Sequence, residues 1–341
     1  MSTLKVGVIG CGSIAQHRHL PEYAGNRDVE IVAVCDIVEE RAKKAAEKYG
    51  AEAYTSYKEL LSNHEVEAVS VCTPNYLHAP ISIAALNAGK HVLCEKPMAT
   101  SSEEAESMIA AAEKNGKKLM IAHNQRFVPS HQKAKELIEK GEAGKIYSFR
   151  SAFGHGGPEG WSADGKDSWF FKKDEAFIGA MGDLGVHKTD LLRYILGEEF
   201  VEVGAFVETS AKENADVDDT AVCVLKTESG TIGTLAASWS YVSKEDNSTI
   251  IYGEKAILRL EDDPVHSLVA QYATGEVVRF ELGGIQTNED GGQSNSHVID
   301  QFTASVLEDK EPPVSGSEGM KSLQVVLGAL KSNESKTIVK L

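Results

Sequence analysis

Leu4-Lys5-Val6-Gly7-Val8-Ile9-Gly10-Cys11-Gly12-Ser13-Ile14-Ala15 is the stretch on which the reading of the whole chain turns. Leu4–Ile9 is a short apolar run of the kind carried by a strand buried on both faces. Two glycines and an alanine follow it at once, spaced G-x-G-x-x-A. In such a turn the first glycine permits the bend, and the second lets a pyrophosphate approach the backbone. The small third residue allows the following helix to pack against the strand. Gly10, Gly12, Ser13 and Ile14 are thus the first candidate binding residues, with phosphate on the N–H groups that open a helix. Asp36 ends the next apolar run, 24 residues past Gly12, near the offset of about 20 at which a carboxylate meets a ribose. Its charge would accept ribose hydroxyls and repel a 2′-phosphate, so NAD is expected over NADP. Arg41 reads first as a solvated residue of the next helix, but it is also within reach of such a phosphate and is the residue through which NADP would be admitted.

Outward from this turn, strand and helix alternate over the first 123 residues. Strands are predicted at Leu4–Ile9, Glu30–Cys35, Ala68–Cys72, His91–Cys94 and Leu119–Ala122. Helices are predicted at Glu39–Tyr49, Leu77–Ala88 and Ser102–Asn115, with Gly89 and Gly116 as C-terminal stops. This pattern means a parallel sheet covered on both faces. After residue 124 a helix (Ser130–Glu139) and a strand (Lys145–Phe153) lead into a loop rich in Gly, Trp and Asp. A helix is expected at Asp183–Leu196, then a run of alternating strands from Phe200 to Glu281 that forms a mainly antiparallel sheet. Two helices, Ser296–Leu307 and Glu318–Lys331, and a short strand follow. The expected fold is therefore α/β: a Rossmann dinucleotide-binding domain over 1–123, then an α+β domain with an open, mainly antiparallel sheet over 124–341.

In an open α/β sheet, ligands bind at the carboxyl edge of the strands. Thr73, Asn75 and His78 follow one strand end and would line that cleft. Glu95-Lys96-Pro97 follows another, and a lysine at the end of a buried strand is costly unless its charge is used. Asp183 and His187 are spaced i, i+4 and share a helix face. Placed in a first helical turn, the histidine would be kept neutral by the helix dipole and able to take a proton. His155, Trp161 and Trp169 lie in the preceding loop, where aromatic rings are candidate contacts for a sugar face.

Taken together, the glycine turn, Thr73-Pro74-Asn75 with His78, Glu95-Lys96-Pro97, Asn124-Gln125-Arg126-Phe127 and Gly182-Asp183-Leu184-Gly185-Val186-His187 resemble the Gfo/Idh/MocA family of oxidoreductases. The resemblance spans essentially the whole chain, including Pro313-Val314-Ser315-Gly316. It implies NAD(P)-dependent hydride transfer to or from a secondary alcohol of a sugar or cyclic polyol, with Lys96, Asp183 and His187 at the catalytic positions. It also implies Glu95 near the nicotinamide, Arg126, His155 and Trp169 on the substrate side, and a homodimer or homotetramer assembled through the second sheet. Trp169-Phe170 and Ile178-Gly179-Ala180-Met181 depart from the family's usual Trp-Arg pair and triple glycine, which bears on substrate contacts. Two other activities fit the same fold. One is an NAD-dependent glycoside hydrolase; the other is a non-catalytic sugar or NAD sensor, which would need neither Lys96 nor His187.

Composition narrows the field. A 341-residue chain with 42% hydrophobic and 25% charged residues is of globular type and long enough for two cores. Its net charge of −16 argues against nucleic acid and anionic membrane surfaces as partners. No apolar run approaches the roughly 20 residues of a membrane helix. Cys11, Cys35, Cys72, Cys94 and Cys223 are an odd set without paired spacing, so reduced thiols and a cytoplasmic location are expected. Asp183, His187 and Asp190 with His155 or His297 lack a second ligand motif, and no metal is expected.

Overall fold

A computed structural model describes residues 3–283 and 295–341. Its first sheet has six parallel strands: β1 (Leu4–Ile9), β2 (Val29–Cys35), β3 (Glu52–Tyr54), β4 (Ala68–Val71), β5 (His91–Cys94) and β6 (Leu119–Ile121). They lie in the order β3-β2-β1-β4-β5-β6, the doubly wound arrangement whose order reverses between β1 and β4. Five of the strands match the apolar runs read from the sequence. The short edge strand β3 was not foreseen, because Glu52-Ala53-Tyr54 is exposed to partly exposed and carries no apolar signal.

The second sheet has nine strands: β7 (Ile146–Gly154), β8 (Phe200–Glu208), β9 (Thr220–Thr227), β10 (Ile232–Ser238), β11 (Thr249–Gly253), β12 (Ala256–Leu260), β13 (Leu268–Tyr272), β14 (Val277–Phe280) and β15 (Val339–Lys340). The order is β14-β13-β12-β11-β7-β10-β9-β8-β15, antiparallel except where β10 runs parallel to β7. One face packs on helices through Phe149, Phe153, Leu225, Leu235 and Leu258. The other presents Phe206, Val222, Val224 and Ile232 to the surface, with Phe206 opposite Val222 in the β8–β9 register.

Packing does not follow a single cut after residue 123. Val298, Ile299 and Phe302 of helix Val298–Leu307, with Val314 and Leu323, join the core of the first sheet. Helix Gly316–Ser335 begins there and ends on the second core through Val325, Val326 and Ala329. At Gly319 an added Cβ would lie 2.5 Å from Ile121 Cγ1, so the glycine is what lets this helix close on β6. An apolar helical stripe records that a face is buried, not which sheet buries it.

The helix expected from Asp183 starts earlier. A π-helical turn, Met181–Gly185, runs without a break into helix Val186–Leu196. Asp183 N donates to Gly179 O at 2.8 Å, which places the residue inside the helix rather than at its cap. Asp218 holds the start: its carboxylate accepts Gly179 N (2.7 Å) and Met181 N (2.8 Å). A Cβ on Gly179 would stand 1.9 Å from Asp218 O. The departure from a triple glycine thus keeps the one glycine that the contact with Asp218 requires.

Candidate active site

A cleft of about 780 Å³ runs along the carboxyl edge of the first sheet, facing the second domain. That volume lies toward the upper end of the range of roughly 300–1,000 Å³ for small-molecule sites. It is lined by Gly10, Gly12, Ser13, Ile14, Asp36, Thr73, Asn75, His78, Glu95, Lys96, His155, Trp169, Asp183 and His187. All the predicted site residues but one therefore meet in a single cavity.

The exception is Arg126. Its guanidinium grips Asp190 through Nε and Nη2, both at 2.7 Å, and Nη2 also donates to Glu318 at 3.0 Å. Asp190 is fully buried and also accepts Ser322 Oγ at 3.0 Å. Arg126 thus joins helix Val186–Leu196 to helix Gly316–Ser335 and does not face the cleft, a correction to its expected substrate role. The sequence could not show this, since Glu318 and Ser322 are nearly two hundred residues away. Replacing Arg126 by Met is expected to cost about 3–5 kcal/mol of stability by stranding a buried carboxylate. Urea unfolding measures this, and an unchanged midpoint would contradict the structural role.

The dinucleotide half is built by the first strand turn. Gly10 has φ +93° and its Cβ position lies 2.4 Å from Cys72 O, so only glycine fits where β1 and β4 part. A Cβ on Gly12 would meet nothing within 4 Å, which leaves its backbone open for a pyrophosphate to approach. Asp36 accepts Cys11 N and Val38 N, both at 2.8 Å, leaving lone pairs for ribose hydroxyls. Thr73 Oγ1, Asn124 Oδ1 and Gln125 Oε1 are buried without partners and belong to cleft-lining residues. This set of unpaired polar atoms, two of them amide oxygens able to accept from a carboxamide N–H, fits a nicotinamide dinucleotide. His78 and Asn75 are braces on its floor. His78 stands 2.7 Å from Pro97 O and 2.8 Å from Thr73 O, and Asn75 donates to Ala176 O at 2.9 Å.

Beneath the lysine turn lies a buried chain. Glu95 pairs with His19 Nε2 at 2.8 Å, His19 Nδ1 meets Ser70 Oγ at 3.0 Å, and Ser70 Oγ meets Tyr23 OH at 2.8 Å. Burial would raise the Glu95 carboxyl, but the His19 hydrogen bond and the His19, Arg18 and Lys96 charges outweigh it, and it falls to about 2. Glu95 is therefore a carboxylate at working pH, fixed behind Lys96.

At the reacting end, Lys96 Nζ donates to Asp183 Oδ1 (2.8 Å) and Asp183 O (2.9 Å). An ammonium has three N–H groups, so one remains for a substrate oxygen. Asp183 Oδ2 accepts Trp239 Nε1 at 3.1 Å. His187 is buried beside them, its Nδ1 without a partner. Burial first, then the charges of Lys96, His123, Arg18 and Lys188, push its pKa well below 6.5. The helix dipole is not the reason, because His187 lies beyond the first turn, where the dipole's effect has faded. The imidazole is neutral and able to accept a proton.

Aromatic rings wall the outer side: Trp169 stacks on Phe170 at 3.9 Å, and Trp161 meets Phe170 edge-on at 5.1 Å. His155 Nδ1 accepts Gly157 N at 2.9 Å and its ring meets Trp161 edge-on. Gln125 Nε2 reaches Asn247 Oδ1 at 3.3 Å, and Glu245 and Asn247 complete the lining. Trp239, His19 and Asn247 were not read from sequence as site residues, because Trp239 meets Asp183 and His19 meets Glu95 only once segments far apart in the chain fold together. Asn124 and Gln125 were within reach, since they follow β6 at the same sheet edge as Thr73 and Lys96.

Comparison with known proteins identifies relatives in sequence and in fold. Residues 4–123 match the model of an oxidoreductase family with an NAD-binding Rossmann fold, and residues 131–259 match the GFO/IDH/MocA C-terminal domain. A levoglucosan dehydrogenase from Pseudarthrobacter phenanthrenivorans is 33% identical over 70% of this chain and 68% of its own. A myo-inositol 2-dehydrogenase from Thermotoga maritima is 30% identical over 99% of this chain and 98% of its own. A solved levoglucosan dehydrogenase in complex with NADH and levoglucosan superposes with a TM-score of 0.87 at 25% identity, covering 99% of both chains.

Proposed function

The chain belongs to the Gfo/Idh/MocA family of NAD-binding oxidoreductases, and we propose that it moves a hydride between NAD and a secondary alcohol of an uncharged sugar or cyclic polyol. The observation that carries this reading is Lys96, clamped by Asp183 with one N–H to spare, beside a neutral His187. Alcohol oxidation needs a base for the hydroxyl proton while hydride leaves the same carbon, and the nicotinamide is what receives that hydride. Lys96 donates to the reacting oxygen and stabilises its developing negative charge. His187 accepts the proton. Asp183, steadied by Trp239, orients Lys96 and a neighbouring hydroxyl.

The charge inventory supports an uncharged substrate. Lys96 is balanced by Asp183, Lys172 by Glu175 and Arg41 by Asp164, the buried Arg18 guanidinium is offset by the Glu95 and Glu22 carboxylates, and Glu245 adds a carboxylate to the lining. An acid or a sugar phosphate gains no unmatched cation from these groups. The rings of Trp161, Trp169 and Phe170 offer apolar faces for a pyranose or inositol ring. The relatives named for levoglucosan and myo-inositol point to the same chemistry.

The test is a panel of inositols, levoglucosan, aldoses and glucosides with NAD, followed by NADH absorbance. Turnover of at least one is expected. Release of an aglycone without net NADH would replace this reading with the NAD-dependent glycoside hydrolase. Binding of NAD without turnover of any compound would point to a sensor. The apolar outer face at Phe206, Val222, Val224 and Ile232 supports self-association through the second sheet as a dimer or tetramer. Five buried free thiols support a reducing, cytoplasmic location. Among the described residues, no helix is long and apolar enough to cross a membrane.

A further inference from the structure

The adenosine end of the cleft is bounded by residues of the first domain: Asp36, Ile37, Val38, Arg41 and Ser56–Tyr57. Arg41 lies on helix Glu39–Tyr49, directly after the strand end that carries Asp36. Guanidinium groups at that place receive the 2′-phosphate that distinguishes NADP from NAD. In this chain the guanidinium is already engaged by an ion pair with Asp164.

Asp164 comes from the other domain. It sits in a strap, residues 161–168, that lines the opposite wall of the cleft with Trp161, Asp167 and Ser168. The strap is seated rather than loose. Ser13 Oγ, in the glycine turn, donates to Trp161 O at 3.0 Å, and Asn214 Nδ2 donates to Lys166 O at 3.1 Å. Lys212 pairs with Glu159 and donates to Gly156 O at 2.6 Å.

We propose that Asp164 is a cofactor-specificity determinant, holding Arg41 and withholding it from a 2′-phosphate. This rests on the cleft binding a nicotinamide dinucleotide with its adenosine beside Asp36. For NADP to bind, the Arg41–Asp164 pair must open and a dianionic phosphate must settle near two carboxylates, Asp36 and Asp164. Juxtaposed like charges oppose binding strongly. NAD, with a bare 2′-hydroxyl, leaves the pair intact. Asp36 alone is thus half of the discrimination, and the other half is supplied across the domain boundary.

The test is the dissociation constant of each dinucleotide, measured by isothermal titration calorimetry in the absence of sugar. The proteins are wild type, Asp164→Asn, Arg41→Ala and the double variant. Wild type is expected to bind NAD more tightly than NADP. Asp164→Asn should gain at least ~10-fold in NADP affinity while NAD stays within about threefold. That gain should shrink at high salt and vanish in the double variant, as coupled residues require. Both side chains are part-exposed, so unfolding midpoints should be unchanged. An unchanged NADP affinity in Asp164→Asn overturns the proposal while leaving the cofactor site standing, as does a wild type that favours NADP. A wild type that binds neither dinucleotide overturns both.

Discussion

Lys96→Met is expected to lower kcat by about 10³-fold while leaving NAD affinity within a few-fold. Removing one donor aimed at a developing oxyanion costs roughly 10²–10³ in rate, and Lys96 does more than donate. Its ammonium also holds the Asp183 carboxylate and carbonyl through two hydrogen bonds, so the substrate-orienting carboxylate loses a partner as well. Met has similar length and no charge, so the cleft keeps its shape. Trp239 still restrains Asp183 Oδ2, and Glu95 remains anchored by His19, which is why cofactor binding should survive. The measurement is steady-state kinetics with the best substrate of the panel, alongside calorimetric NAD binding. A variant that retains kcat within tenfold of wild type would remove Lys96 from the chemistry.

His187→Gln should lower kcat/KM for alcohol oxidation by about 10²–10⁴-fold, the usual worth of a positioned general base. The sign of its pH dependence follows from its surroundings. Burial and the Lys96 charge disfavour imidazolium, so the free base, the form that oxidation requires, persists below the ordinary imidazole range. The wild-type kcat/KM profile should stay level as pH falls to about 6.5 and decline only below it. In His187→Gln that acidic limb should be gone. Alcohol formation in the reverse direction should show the opposite trend, since it uses the protonated ring. An acidic limb centred at or above 6.5 that disappears with His187 would show that the ring is not desolvated as the geometry implies. With Lys96 and His187 acting on one oxygen as proposed, the double variant should lose far less than the product of the single losses.

Much of this was legible because it is local. The doubly wound sheet could be read from apolar runs that end in turn residues, since a strand buried on both faces must be apolar throughout. β3 escaped because an edge strand has no such obligation. Gly10, Asp36, Thr73 and Lys96 could be placed together because a parallel sheet sends every strand end to one edge. The helix bearing Asp183 and His187 was legible, but not its start. A π-helical turn and the Asp218 carboxylate set that start, and Asp218 arrives from a loop some 35 residues further on.

The sequence by itself determined the parallel first sheet, the mainly antiparallel second sheet and the dinucleotide turn. Each of these follows from periodicity or from the conformations open to glycine, while Lys96, Asp183 and His187 were named as candidates by the resemblance of their motifs to the family. Only the tertiary structure decided that Arg126 is a buried strut and that His187 owes its neutrality to burial beside Lys96. The same holds for Trp239 holding Asp183, for helix Val298–Leu307 closing the first core and for Asp164 reaching Arg41. Three of the five depend on which surfaces meet across the domain boundary, while Arg126 and Trp239 find their partners among distant segments of the second domain itself. Desolvation and charge pairing arise only when distant segments exclude water from the same space.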